Sequence, residues 1–370
     1  MTAPAISRGF VNRVRAQALH CRRAGSPLTA AILDGAAGDL EAGGPTAALL
    51  GPHVEDPVGS VPALRLAAAL HRMVLERRAP ALAVHYPSVG GTLGDVWPVA
   101  REVIGENRDL LGELMLRPVQ TNEVGRSTAL LGGLFHAVRA TALPVRLLEV
   151  GASAGLNLHV DRFAHVLGNG TVLGDRTSPV QLVDPWTGEL PPYDVPLEIA
   201  ERRGCDPAPL DPTSVADRLT LTSCVWADQV VRFERLRGAL LVAAASPVPV
   251  EPSPASAFLE RELASPHGDV VTVVWHSVVR QYLGRVERER VAALIAAAGA
   301  RATTRAPLVH LALEPERLAD TTIEFQVRLT TWPGGEQRVL ADCEGHGRSC
   351  PTGGATGSRC RSTRAAAGWS

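Results

Sequence analysis

The chain contains no lysine; all 37 of its Lys+Arg positions are arginine. That excludes a P-loop lysine, a Schiff-base lysine and pyridoxal-phosphate chemistry. Net charge is almost absent as well, formally −1, so nothing draws the whole surface to nucleic acid or to an anionic membrane. No apolar run is long enough to span a bilayer. Arg8, Arg13 and Arg15 near the start lack the apolar stretch of a secretory signal. The six cysteines include no CxxC pair and suggest no disulfide framework; Cys21, Cys205 and Cys224 read as small buried residues. These absences make a cytoplasmic protein the expectation, and a small-molecule substrate is the expected partner. What remains is 370 residues, 45% of them hydrophobic, enough for one large or two moderate domains.

The stretch that stands out is Arg146 to Asp161, RLLEVGASAGLNLHVD. Arg146 to Val150 is a short apolar run ending in an acid, Glu149. Gly151 to Gly155 is a turn of small residues. Beyond it Leu156, Val160, Phe163 and Leu167 fall on one face of a helix. Strand, glycine turn and helix in that order form a nucleotide-binding unit in doubly wound sheets. A methyltransferase loop of this kind wants an acid at the strand end and alternate glycines; Glu149, Gly151 and Gly155 fit, with Ser153 in the middle place. A G-x-G-x-x-G dinucleotide site fits badly, because the acid stands where a pyrophosphate would lie. A nucleophile elbow, G-x-S-x-G, is matched literally by Gly151 to Gly155. The plainest alternative is a tight turn with a helix-capping serine and no ligand.

Before this stretch, up to about Ala140, the periodicity is mostly helical: Phe10, Val14 and Ala18, then Leu64 to Leu75, then Val99 to Leu116. Gly43 to Pro62 reads as loop, and so does His85 to Gly91, HYPSVGG, which sets aromatic and hydroxyl groups beside glycines. The polar segment Gln120 to Arg126, QTNEVGR, leads into a helix carrying Leu130, Leu131 and Leu134. It reads as a polar lid or as a helix cap.

After it, Thr171 to Asp175 is expected as a second strand, with Gln181 to Asp184 as rival, and Pro185 to Pro212 as an irregular excursion. Leu219 to Trp226 reads as a strand, Val230 to Ala245 as a helix and Pro247 to Glu251 as an edge strand. Asp269 to Trp275 is apolar and β-branched throughout, as suits a strand buried on both faces. A helix from Arg285 and a strand over Leu308 to Leu313 follow. Ile323 to Trp332 and Arg338 to Asp342 flank Pro333-Gly334-Gly335, a hairpin signal. The predicted fold is α/β: a Rossmann-like, doubly wound, mostly parallel sheet of methyltransferase type over 143–342, preceded by an N-terminal helical domain over 1–142. The last stretch, 343–370, is expected to be disordered. Its Cys343, His346 and Cys350 lack the spacing of a familiar zinc site, and its change of composition is what a shifted reading frame would leave.

With these motifs placed, the chain resembles a bacterial family known only as a domain of unknown function. The matching stretches are QTNEVGR, LLEVGASAGLNL at Leu147 to Leu158, RGCD at Arg203 to Asp206, VWADQ at Val225 to Gln229 and VWHSVVRQYL at Val274 to Leu283. The resemblance implies a Rossmann-like, methyltransferase-type core and supplies no substrate. Two departures from the usual methyltransferase pattern stand out: Ser153 in place of a glycine, and only Glu251 near the strand end where an aspartate would contact adenine.

S-adenosylmethionine presents a ribose diol, an α-amino acid and a sulfonium. Asp175 is expected on the diol, with Asp184 as alternative. Glu149 suits the ammonium, and Gly151, Ser153 and Gly155 supply backbone. Arg126 offers a guanidinium fork to the carboxylate, and Asn157 suits the ribose or the amino acid. His276, just past the buried strand, is expected as general base facing the acceptor, with Trp275 and Tyr282 lining its pocket. The rival serine hydrolase needs Ser153, an acid and a histidine in that order: Asp228 with His310, or Asp320 with His346. A non-catalytic nucleotide-binding protein is the third class.

Overall fold

The computed structural model describes residues 6–317, 323–346 and 349–351. They divide into two compact units, one formed by residues up to 121 with 215–234, the other by 122–214 and the residues from 235 onward.

In chain order the elements are α1 (Arg8–Arg23), α2 (Pro27–Glu41), α3 (Pro45–Leu50), α4 (Pro62–Leu75), α5 (Pro80–Ala83), α6 (Trp97–Glu106), α7 (Arg108–Met115), α8 (Ser127–Thr141), β1 (Val145–Val150), β2 (Ala164–Val166), β3 (Val172–Leu173), β4 (Gln181–Val183) and β5 (Ile199–Asp206). Then come α9 (Val215–Cys224), α10 (Val230–Ala245), β6 (Val250–Pro252), α11 (Ala255–Glu262), β7 (Val271–Ser277), α12 (Arg285–Arg301), β8 (Leu308–Arg317), β9 (Ile323–Trp332), β10 (Glu336–Cys343) and β11 (Ser349–Pro351). No helix among the described residues is long and apolar enough to cross a membrane.

The helical unit buries Phe10, Val14, Leu33, Leu66, Leu70 and Met73 in one core. The expected boundary near 142 is displaced at both ends. Helix α8 belongs to the sheet unit, because Leu130, Leu131 and Leu134 share a core with Leu147, Val273 and Leu311. Gly133 allows the close approach: a Cβ there would lie 2.3 Å from Leu311. Helix α9 falls in the helical unit, where a strand was expected over Leu219 to Trp226. Thr220 and Thr222 turn their hydroxyls onto the carbonyls of Ala216 and Arg218, which lets β-branched residues sit in a helix.

The main sheet runs β11-β10-β9-β8-β7-β1-β5-β6. β6, β5, β1, β7 and β8 are parallel neighbours, and β9 to β11 continue antiparallel. β1 and β7 are central neighbours in parallel, as their two continuous apolar runs predict. Successive residues alternate between the faces. Leu147 and Val273 meet α8 on one side; Leu148 and Val274 meet α11 and α12 on the other. The architecture is thus mixed α/β with helices on both faces.

Three local expectations fail here. No α-helix follows the glycine turn: Leu156–Arg162 is a 3-10 segment broken at His159, and β2 begins at Ala164. Leu156 to Val160 are all buried, Asn157 and His159 among them, so no amphipathic helix is present here, and the helical spacing arose from a turn followed by a strand. Neither Thr171 to Asp175 nor Gln181 to Asp184 enters the main sheet; β3 and β4 flank β2 in a small separate sheet. The second strand of the main sheet is β5, inside the stretch read as irregular. Its charges hid it, and each has a partner: Arg202 grips Asp161 with two bonds of 2.8 and 3.0 Å, and Glu201 takes Arg146. The sheet also continues past Asp342, with Asp342 opposite Cys350. A backbone ladder at an edge needs no apolar pattern. Residues 352–370, where disorder and a frame change were expected, lie outside the described residues.

Candidate functional site

Strand β1 is buried along its whole length and delivers Glu149 to its carboxyl end, opposite Trp275 of β7 and Gly204 of β5. The turn that follows is closed by its own surroundings. Gly151 N–H and Ala152 N–H both donate to the Cys205 carbonyl at 2.9 Å. Ser153 N–H donates to Asp206 Oδ2 at 3.0 Å. Asn122 Oδ1 accepts from Ala154 and Leu156 at 3.2 and 3.0 Å, and Gly155 N–H donates to Ala152 O. A turn with its amides so engaged offers no cradle to a phosphate, unlike the loops in which free N–H groups hold an anion.

The glycines serve the turn rather than an open space. Gly151 and Gly155 hold φ of 70° and 71°, which glycine adopts freely. A Cβ at Gly151 would meet Val279 at 2.5 Å, and one at Gly155 would meet Val250 at 2.8 Å. Ser153 takes the same left-handed conformation, φ 54°; the residue differs from the glycine pattern but its backbone does not.

Around this turn, buried polar atoms stand unsatisfied. Glu149 Oε2, Ser153 Oγ, Asn157 Oδ1 and Trp275 Nε1 have no hydrogen-bond partner among the described residues. All four side chains belong to residues less than a tenth exposed. Buried polar groups are ordinarily paired, so the concentration of orphans marks a place where a ligand or ordered water completes the bonding. Burial pushes the Glu149 carboxyl up to about 8; the Trp275 and Asn157 side chains oppose that, the Asp206 charge adds to it and the Arg126 charge lowers it. The hydrogen-bonding influence of Trp275 and Asn157 places those two side chains beside Glu149.

Arg126 ends the 3-10 segment Val124–Arg126. Its Nε donates to Gly345 O at 3.0 Å, and a second nitrogen reaches Ser277 O at 3.4 Å. The polar segment is thus fastened to the site from two sides, through Asn122 to the turn and through Arg126 to the end of β7.

Two expected residues lie apart from this cluster. Asp175 is exposed beyond β3 of the small sheet, and its Oδ1 accepts from Thr177 N and Oγ1 at 2.8 and 2.7 Å, a local turn. The acid at the end of the strand beside β1 is Asp206. It closes the RGCD stretch, whose charged residues conceal that β5 is a strand. Its Oδ1 also accepts from Ala208 N, and lone pairs remain on both oxygens.

His276 likewise does not face the turn's acid. By strand alternation it shares the face of Val274, whereas Glu149 and Trp275 share the other. Its Nδ1 lies 2.7 Å from Glu314 Oε1 and its Nε2 3.0 Å from His310 Nε2. Glu314 Oε1 also accepts from the Val279 and Arg280 amides. Burial alone favours the neutral acid, but the His276 bond and these amides hold Glu314 below the usual carboxylate range. Burial, with the His276 charge, lowers His310 to about 3. Tyr282, expected in the acceptor pocket, is 56% exposed, whereas Trp275 is fully buried beside Glu149.

Among the described residues the hydrolase arrangement is not assembled. Ser153 Oγ has no histidine within hydrogen-bond reach. Asp228 spends its oxygens on Ser26 Oγ and Leu28 N, and His310 is paired with His276. Asp320 lies outside the described residues.

The fold and site together define a mixed α/β protein with a buried acid and a glycine turn at the carboxyl end of its central strand. A family described as an uncharacterized protein conserved in bacteria, DUF2332, matches residues 11–351. The chain belongs to that family. No curated protein and no solved structure matches the chain.

Proposed function

We propose that the sheet unit binds S-adenosylmethionine and that the chain is a methyltransferase acting on a small-molecule acceptor, built on a Rossmann-like core. The observation that carries this reading is the group of unpaired buried atoms at the end of β1. Asn157 Oδ1, and Glu149 Oε2 once its carboxyl is ionised, are acceptors that a donor would complete. The α-ammonium of the cofactor is a donor with three N–H groups. Asp206, at the end of the neighbouring strand, takes the ribose role first assigned to Asp175, since a carboxylate there can accept from both hydroxyls of a diol. Arg126 suits the carboxylate of the amino-acid end. Gly151, Ser153 and Gly155 shape the turn instead of contributing free amides. The bound cofactor would supply an electrophilic methyl group. The reading assigns no general base, because both nitrogens of His276 are engaged within β7 and β8.

Calorimetric titration with S-adenosylmethionine, with NAD as control, tests this directly. Saturable heat with S-adenosylmethionine and none with NAD is the expected result. Absence of binding at millimolar S-adenosylmethionine would overturn the proposal. Binding that persists without methyl transfer to any acceptor would leave a nucleotide-binding protein that lacks chemistry.

A further inference from the structure

The helical unit contains a hydroxyl, an imidazole and a phenol in an arrangement the sheet site does not use. Ser88 lies in the 3-10 turn Pro87–Val89, inside the HYPSVGG stretch. His71 lies on α4 and is 2% exposed. Ser88 Oγ is 2.8 Å from His71 Nε2, and His71 Nδ1 is 3.2 Å from the Ser223 carbonyl oxygen at the end of α9.

The protonation pattern follows from these partners. A carbonyl only accepts, so Nδ1 carries the ring proton and donates to Ser223 O. Nε2 of the neutral ring then bears a lone pair, and the Ser88 hydroxyl donates to it. This is the arrangement of an activated nucleophile: a hydroxyl on a base, and the base oriented by a third group. Burial lowers His71 to about 4, which keeps it unprotonated at neutral pH.

A second observation points to a reactant. The Tyr86 ring is centred 5.6 Å from that of His71. Tyr86 is 1% exposed, and its hydroxyl has no partner among the described residues. A buried phenol that can only gain by donating is suited to a developing oxyanion. Ser88 itself is half-buried, and Val89 beside it is 45% exposed. The loop folds closely back on itself: a Cβ at Gly91 would lie 2.4 Å from Ala83 O and 2.6 Å from Tyr86 N.

We propose that Ser88 is a nucleophile activated by His71, forming an acyl-enzyme with short carboxylic esters. The Ser88 Oγ–C bond forms at the acyl carbon as the hydroxyl proton passes to His71 Nε2. The ester C–O bond then breaks, and the leaving alkoxide takes that proton from His71. Water attacks the acyl-Ser88 in the same way, releasing the carboxylic acid and restoring the hydroxyl. The Tyr86 hydroxyl donates to the carbonyl oxygen while it carries negative charge. None of these residues enters the sheet-unit proposal, so failure of S-adenosylmethionine binding leaves this one untouched.

The test is labelling of the full-length protein by a fluorophosphonate, which places phosphorus on the serine oxygen and expels fluoride. Peptide mass spectrometry should find the adduct on Ser88, in the wild type and equally in Ser153→Ala. Ser88→Ala should abolish it, and His71→Gln should slow it about 100-fold, the usual scale for loss of a general base. Circular dichroism establishes that each variant is folded; Ser88→Ala, at a half-buried turn, is the variant that keeps the test decisive if His71→Gln is not. An ester burst with p-nitrophenyl acetate equal to the protein concentration should disappear in the same variants. No adduct on folded wild-type protein, or an adduct on a residue other than Ser88, would overturn the proposal.

Discussion

Replacing Glu149 by glutamine tests the physical state of the candidate site before any ligand is known. The folded carboxyl is pushed up to about 8 by burial, against roughly 4.3 in an unfolded chain. A raised folded value means that the native state holds a proton the unfolded state has already released. The contribution of Glu149 is therefore fully favourable below about pH 4.3 and is lost as pH rises towards about 8. At 1.36 kcal/mol per unit, the loss across this window is on the order of 5 kcal/mol. Glutamine has the same shape and no charge, so the variant lacks this slope. Urea denaturation of both proteins at intervals from pH 5 to 9 should show Glu149→Gln gaining on the wild type by about 1.4 kcal/mol per unit up to about pH 8, then levelling. A difference that stays flat across the range would refute a buried, neutral Glu149. The same proton links to ligand binding: a cation on Glu149 favours the ionised form, so binding below pH 8 should release about one proton, detectable by calorimetry in buffers of different ionisation enthalpy.

Asp206→Ala should weaken S-adenosylmethionine binding by roughly 1–3 kcal/mol, the cost of losing charge-assisted hydrogen bonds, while Asp175→Ala should leave the titration unchanged; the reverse pattern would restore Asp175 to the diol. Gly155→Val should lower thermal stability by about 1–3 kcal/mol through the clash with Val250 and the positive φ, and saturating ligand should not discriminate against it if it folds. Asn122→Ala should cost about 1–3 kcal/mol for each of the two amides it orphans, read as a lower urea midpoint with no change in slope; an unaltered midpoint would mean that water replaces Asn122 at no cost.

The central strands were legible because burial on both faces leaves a nearly continuous apolar run, and Leu147 to Val150 and Val271 to Trp275 carry that mark, broken only by Glu149 and Thr272. The hairpin was legible because Pro333-Gly334-Gly335 breaks two alternating stretches. β5 was not, because a strand whose Arg202 and Arg203 are matched by Asp161 and Glu251, and whose Glu201 is matched by Arg146, all from other segments, looks like a polar loop until its partners are known. That one omission moved the ribose acid to Asp175, since the residue following the second strand was sought thirty residues too early. The glycine turn was found, but the use of its amides was not readable: Asn122 lies 32 positions before Ala154, and nothing in local sequence announces that a side chain so far away saturates the turn. His276, read as lying just past the buried strand, is the next-to-last residue of β7. Its partners Glu314 and His310 come from the next parallel strand, as diagonal neighbours across a register in which His276 lies opposite Ala312.

Taken together, these bonds change the kind of ligand the turn can attract. A glycine turn after a buried strand usually recommends itself through free amides and a helix dipole, both of which favour anions. Here Leu156–Arg162 is a 3-10 segment rather than a helix, and the turn's amides are spent on Asn122, Cys205 and Asp206. The polar atoms left over are dominated by oxygen acceptors, with Asp206 at the rim and Glu149 at the base. On the proposed reading such a site suits a ligand that brings N–H or O–H groups and, by ionising Glu149, positive charge. On that reading, a dinucleotide would fit this lining poorly, whereas an amino-acid ammonium and a ribose diol would find partners in Glu149 and Asp206.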